Sequence, residues 1–309
     1  MTVVDSSPST SPAAIDAVPL RHPWRWVAAV VIVVLLGLFL YGVATNSAYR
    51  WSVFFEYLFN ERILMGVSNT LQLTVYSMVL AIVLGVILAV MRLSPNPVFR
   101  SVSWVYLWIF RGTPIYVQLT FWGLIPTIYS KIQLGVPFGP SFFHLDLQAL
   151  SIPFLLATLG LALNEAAYMA EIIRAGISSV PEGQLEASTA LGMSWGLAMR
   201  RTVLPQAMRV IIPPTGNEVI SMLKTTSLVT AVPYTLDLYS IATREIAARE
   251  FEPVPLLLVA AAWYLVVTSV LMVGQYYLER YYSRGASRKL TAKQLEALAK
   301  AQMVGEAHP

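Results

Sequence analysis

SVPEGQLEASTALGMSWGLAMRRTVLPQA, running from Ser179 to Ala207, is a polar and amphipathic interval set between long apolar runs. Ser179 and Glu182 have the spacing of a capping box, and Pro181 is tolerated only in a first turn, so a short helix is predicted to open here. Gly192 is expected to end it. A second short helix is predicted from Ser194 through Trp195, Leu197, Ala198 and Arg201 to Leu204-Pro205, where proline is expected to forbid continuation. Leu185, Ala187, Ser188, Leu191 and Trp195 mix small and apolar side chains outside the apolar runs, which suits insertion into a groove on a partner. The interval reads as a soluble docking element on a membrane protein.

Composition supports that setting. The 309 residues are 56% hydrophobic and 12% charged, against roughly 45–50% and 25% in soluble domains. Apolar runs leave no room for a separate globular core, so one membrane domain is expected. The net charge of +4 does not call for nucleic acid, because the basic residues cluster at the ends of apolar segments. There is no cysteine, and His22, His144 and His308 are scattered, so neither thiolate chemistry nor a metal cluster is expected.

Six spans are predicted: Trp26–Ala44, Leu71–Met91, Val102–Ile128, Leu150 to about Ile173, about Val210–Tyr239, and Pro255–Tyr277. Residues 1–23 read as a disordered tail, and TAKQLEALAKAQM near the C-terminus as a peripheral helix. With the N-terminus inside, the inner segments carry fourteen Lys and Arg against five in the outer ones, which places both termini and the docking loop in the cytoplasm. No internal repeat is visible, which disfavours carriers built from inverted repeats.

Ionisable side chains inside spans each need a partner or a purpose, since insertion costs about 2.5–3.5 kcal/mol for a central charge. In PPTGNEVISMLKTTSL, residues 213–228, the residues Asn217, Ser221, Lys224 and Leu228 recur at helical spacing, and Glu218 lies one position round. Glu218 and Lys224 could bind the two ends of a zwitterion or simply neutralise one another. In NEAAYMAEIIRAG, residues 164–176, the residues Asn164, Tyr168 and Glu171 share a face and Glu165 lies a quarter turn away. Glu171 with Arg174 reads as a local ion pair, and Ala162, Ala166, Ala167 and Ala170 as packing positions. In FRGTPIYVQLTFWG, residues 110–123, Arg111 and Gln118 stand two turns apart, Arg111 could snorkel to lipid phosphates, and Thr113-Pro114 is expected to kink the helix. No G-x-x-x-x-G-K-[ST] loop occurs, so any nucleotide hydrolysis falls to another subunit.

Glu186-Ala187-Ser188, Gly192 and Leu204-Pro205 resemble the cytoplasmic EAA loop of bacterial ABC-importer permeases, with Ser188 in place of the second alanine. Arg111–Pro114 with Gln118, Asn164–Gly176, Val180–Gln184, Leu204–Ala207 and Gly216–Leu228 look like the polar amino acid branch, the histidine, glutamine, arginine and glutamate permeases. The resemblance covers roughly residues 64–280. It implies an all-α, type I ABC-importer transmembrane domain with a five-helix core, here carrying one extra N-terminal helix. It divides the chain into a tail (1–23), the extra helix and an outer loop (24–63), the permease domain (64–282) with its coupling loop at 179–207, and a C-terminal tail (283–309). The implied partners are a dimer of ATP-binding subunits, an extracytoplasmic solute-binding protein and a second permease subunit in a bacterial plasma membrane. The resemblance also implies that ATP and magnesium sit on the ATP-binding partner, and no cofactor is expected on this chain.

Glu186, Ala187, Ser188, Gly192, Leu204 and Pro205 are the implied coupling residues. Arg111, Gln118, Asn164, Glu165, Asn217, Glu218 and Lys224 are the candidate substrate pathway. Glu218 resembles a position at which permeases for cationic amino acids place a carboxylate, which leans the expected substrate toward a basic or zwitterionic amino acid. This chain reads Lys224-Thr225-Thr226-Ser227 where the branch often reads Lys-Asp-Thr-Ser, and the outer loop of about 131–148 has no readable purpose. A proton-coupled carrier using Glu165, Glu218 and Lys224 as a relay is the rival, but it has no use for a docking loop. A membrane enzyme would need a convergent acid–base or metal set that is not present.

Overall fold

A computed structural model describes residues 23–129, 131–135, 141–146, 152–247 and 251–282. The two predicted tails lie outside these residues, apart from Pro23. The chain divides into two compact units, Met1–Arg50 and Trp51–Pro309.

The first unit holds helix α1, Pro23–Thr45, in which no residue is buried. It is apolar on every face, so only lipid or protein can cover it.

The second unit is built on α3, Glu61–Leu93, and α6, Pro153–Ser178. Asn60 caps α3 by accepting from the Arg62 amide at 3.0 Å. Ser77 Oγ donates to Thr158 O, and Gly85 lies against Met169 and Ala170, so the two helices run in the same direction. A Cβ at Gly85 would come within 2.6 Å of Met169 Cβ, which explains a glycine in mid-helix. Ala162, Ala166, Ala167 and Ala170 are all buried in this packing.

Around the pair stand α2 (Trp51–Leu58), α4 (Pro97–Gly112), α5 (Ile115–Ile128), α7 (Glu182–Ala190), α8 (Trp195–Ala198), α9 (Leu204–Thr225), α10 (Leu238–Ser240) and α11 (Pro253–Tyr282). One core cluster gathers Leu73, Leu119, Leu161, Met169 and Met222. A second gathers Ile63, Leu238, Ile241, Leu256 and Val259, and Trp263 Nε1 ties α11 to Leu58 O at 2.7 Å. Val75, Val79, Val83 and Ile87 of α3 and Leu265, Val266, Val270 and Val273 of α11 are exposed, as lipid-facing sides must be.

Several expectations change. Helices long and apolar enough to cross a membrane are α1, α3, α6 and α11, with α5 a shorter apolar helix. The predicted third span is two helices, because Thr113 and Pro114 are both extended and Pro114 opens α5. The predicted fifth span ends earlier, at Thr225, and continues as a 3-10 turn over Thr226–Ala231.

The capping box does not form. Ser179 has helical backbone angles and closes α6, its hydroxyl donating to Gly176 O at 2.7 Å, while Pro181 opens α7. An N-cap needs an extended residue, which Ser179 is not. Pro205 does not stop the second helix either. Met199–Val203 form a π turn between α8 and α9, and the helix passes through the proline; such wider turns accommodate a ring that an α-helix would reject.

Within the outer loop, β1 (Lys131–Gly135) and β2 (Ser141–Asp146) pair antiparallel with Lys131 opposite Asp146, a short hairpin on an otherwise helical fold among the described residues.

Candidate functional site

Gly112–Pro114, the break between α4 and α5, forms one wall of a cavity of about 600 Å3. A break inside a membrane leaves carbonyls without partners, and in hydrocarbon these must be satisfied by protein. Gln118 Nε2 lies 2.9 Å from Phe110 O, 3.0 Å from Thr113 O and 2.7 Å from Thr113 Oγ1. Asn164 Nδ2 donates to Phe110 O and to Gln118 Oε1, both at 3.0 Å. Gln118 and Asn164 are both buried, so this amide pair clamps the opened turn. Tyr106 holds α4 to α6, its hydroxyl donating to Leu163 O at 2.7 Å.

Glu165 of α6 and Glu218 of α9 both line the cavity, near enough to act on each other electrostatically. Glu165 is 7% exposed and its Oε1 has no hydrogen-bond partner. Two carboxyls in one cavity make each other's ionisation costlier, which either a proton or a bound cation offsets. Arg111 lines the same space, its guanidinium 5.4 Å from the centre of the Tyr168 ring, and Ser221 and Thr225 extend the polar wall along α9.

The cavity thus brings together Arg111, Asn164, Glu165 and Glu218, and Gln118 stands behind it as part of the clamp. It leaves out Asn217, which is exposed, and Lys224, which lines a separate space of about 270 Å3 with Ser227, Tyr239 and Tyr264. On a helix advancing about 100° per residue, Asn217 and Lys224 each point away from Glu218 and Thr225. The spacing Glu218, Ser221, Thr225 was the signal for the true cavity face.

At the other end of α6, α7 and α8 form the predicted docking element. Gly192 turns between them with φ +77°, a left-handed conformation that a side chain would strain. Glu186, Ala187, Leu191 and Trp195 are exposed, Leu191 by 79% and Trp195 by 70%. Ser188 is buried instead; its hydroxyl donates to Gln184 O at 2.8 Å and meets Thr202 Oγ1 at 2.8 Å, tying α7 to the π turn. Leu204 lines an apolar cavity of about 560 Å3 with Trp195, Met199 and Met208, and Pro205 stands exposed beside it.

Residues 81–284 match the family of binding-protein-dependent transport system inner membrane components. The chain belongs to this family. The permease is 60% identical over 306 residues to the arginine transport system permease protein ArgU of Corynebacterium glutamicum, covering 98% of this chain and 95% of that one. The histidine/lysine/arginine/ornithine transport system permease protein HisM of Escherichia coli is 39% identical over 210 residues, 67% of this chain and 83% of its own. A crystal structure of an amino acid ABC transporter with histidines matches with a TM-score of 0.59 and 32% identity, over 71% of this chain and 94% of that one. The MetNI methionine ABC transporter in an inward facing conformation shares the fold, with a TM-score of 0.56 at 16% identity over 72% and 96%. The fold is the type I ABC-importer transmembrane domain, and the permease is a membrane-embedded transport subunit, not itself an enzyme. These likenesses lend nothing to the carrier reading.

Proposed function

We propose that this permease carries a basic amino acid of the arginine class, driven by ATP hydrolysis on a separate subunit. The convergence of Glu165 and Glu218 on one cavity is the observation that carries this reading. A guanidinium or ammonium between the two carboxyls relieves their repulsion and gains charge-assisted hydrogen bonds. Arg111 in the same cavity offers a partner for the α-carboxylate, and Asn164, Ser221 and Thr225 supply neutral polar contacts. The 60% identity to a permease named for arginine transport supports the same substrate.

The exposed α7–α8 surface suits a groove on the ATP-binding partner, which would hold ATP and magnesium. Movement of that partner would reach Glu218 through the π turn and α9, which are one continuous run of helix from Trp195 to Thr225. A solute-binding protein would deliver substrate on the opposite side, and a second permease subunit, identical or paralogous, would complete the assembly. Both termini lie in the cytoplasm on this reading.

In vesicles containing the complete importer, Glu218→Gln should lower arginine uptake while the ATP-binding subunit still co-purifies. Unchanged uptake kinetics would remove the acid pair from the substrate path. Gly192→Val should have the opposite profile, with co-purification of the ATP-binding subunit lost.

A further inference from the structure

A second cavity, of about 450 Å3, adjoins the first, and Arg111, Gly112 and Tyr168 line both. Its other walls are Arg92 in the last turn of α3, Trp104 and Trp108 of α4, and Glu171 of α6. Glu171 lies six residues beyond Glu165 along α6, about 9 Å closer to the docking element. The space therefore continues from the acid pair toward α7.

The sign of the charge changes along the way. In the second cavity two guanidinium groups face one carboxylate, and that carboxylate is already engaged, with Arg174 Nη2 at 2.6 Å and Nε at 3.1 Å from its oxygens. Arg92 and Arg111 both lie close enough to act on Glu171 electrostatically. Among the described residues neither of them forms an ion pair. Trp104 and Trp108 stack in parallel, ring centroids 6.2 Å apart, so one wall is apolar.

We propose that this second cavity is an anion subsite for the α-carboxylate of the departing amino acid, received from Arg111 by Arg92, so that a basic substrate leaves carboxylate first. The proposal rests on the substrate reading above. With the carboxylate leading, the substrate's cationic end trails beside Glu165 and Glu218. In the reverse orientation that end would meet Arg111 and then Arg92, and like charges at such range repel. Two cavities of opposite sign in series thus select an orientation as well as a substrate.

The test uses the complete importer in vesicles, with labelled arginine supplied on the loaded binding protein. Arg92→Gln should slow maximal uptake about tenfold, the scale of one lost charge-assisted bond, with the half-saturating concentration of loaded binding protein unchanged. Arg92→Lys, which keeps the charge, should retain most of the rate. Unchanged uptake in Arg92→Gln would overturn the proposal, as would a lysine variant as slow as the glutamine one. A defect that vanishes in vesicles of phosphatidylcholine alone, which lack net-anionic headgroups, would assign Arg92 to an anionic lipid, and overturn it too. Glu218→Gln measured alongside separates the two readings: a defect there with normal Arg92→Gln removes only the anion subsite, and the reverse removes only the acid pair.

Discussion

Pro114 and Pro205 each fall where the sequence suggests an interrupted helix, and the chain treats them in opposite ways. At Pro114 the backbone is fully extended over two residues and two helices result. At Pro205 the preceding five residues widen into a π turn and the helix carries on. The difference lies in what is available to take the freed carbonyls. Around Pro114 two buried amides reach Phe110 O and Thr113 O, so a complete break is tolerated at membrane depth and its edge becomes the wall of a cavity. Around Pro205 the helix itself absorbs the proline, because the widened turn before it shifts the pairing of the preceding carbonyls by one residue, Leu204 N donating to Met199 O. One proline opens a site, and the other preserves the mechanical connection to it.

The largest effect should come from removing the clamp. Gln118→Leu combined with Asn164→Leu leaves buried carbonyls unpaired at about 1–3 kcal/mol each, and thermal unfolding of the detergent-solubilised complex should show a fall of several degrees with loss of uptake. Pro114→Ala should cost less stability but still slow uptake several-fold, because a new backbone N–H can compete for Phe110 O and close the opened turn. Ser188→Ala removes the tie between α7 and the π turn. It should cost about 1 kcal/mol and weaken retention of the ATP-binding subunit in a salt wash. Pro205→Ala should be mildest, within about 0.5 kcal/mol, with uptake close to that of the unaltered protein. If Pro205→Ala proved as harmful as Pro114→Ala, the contrast between the two sites would fail.

The apolar runs made the spans readable, and intramembrane charge marked Glu165 and Glu218. What the runs could not convey was the break at Thr113-Pro114, because a kink and a break share the same local residues. The deciding group, Asn164, stands 54 positions from Phe110. The meeting of Glu165 and Glu218 in one cavity depends likewise on how α6 and α9 pack. Lys224 stands apart from that cavity for a different reason: a polar stripe on a helix shows which residues align, not which flank turns inward. Gly192 needed no tertiary information, since a positive φ at the end of a short helix is a local requirement.

The π turn at Met199–Val203 has a further consequence, one of phase. A turn closed from i to i+5 houses one residue more than the α turn it replaces, so the helices on either side keep nearly the phase they would have without it. Losing one residue from Met199–Val203 can therefore be taken up by closing the turn, whereas the same loss inside α9 would rotate everything beyond it by about 100°. Trp195 and Leu191 should keep facing the surface they now form in the first case and turn away from it in the second, so this segment should tolerate loss of one residue better than α9 does.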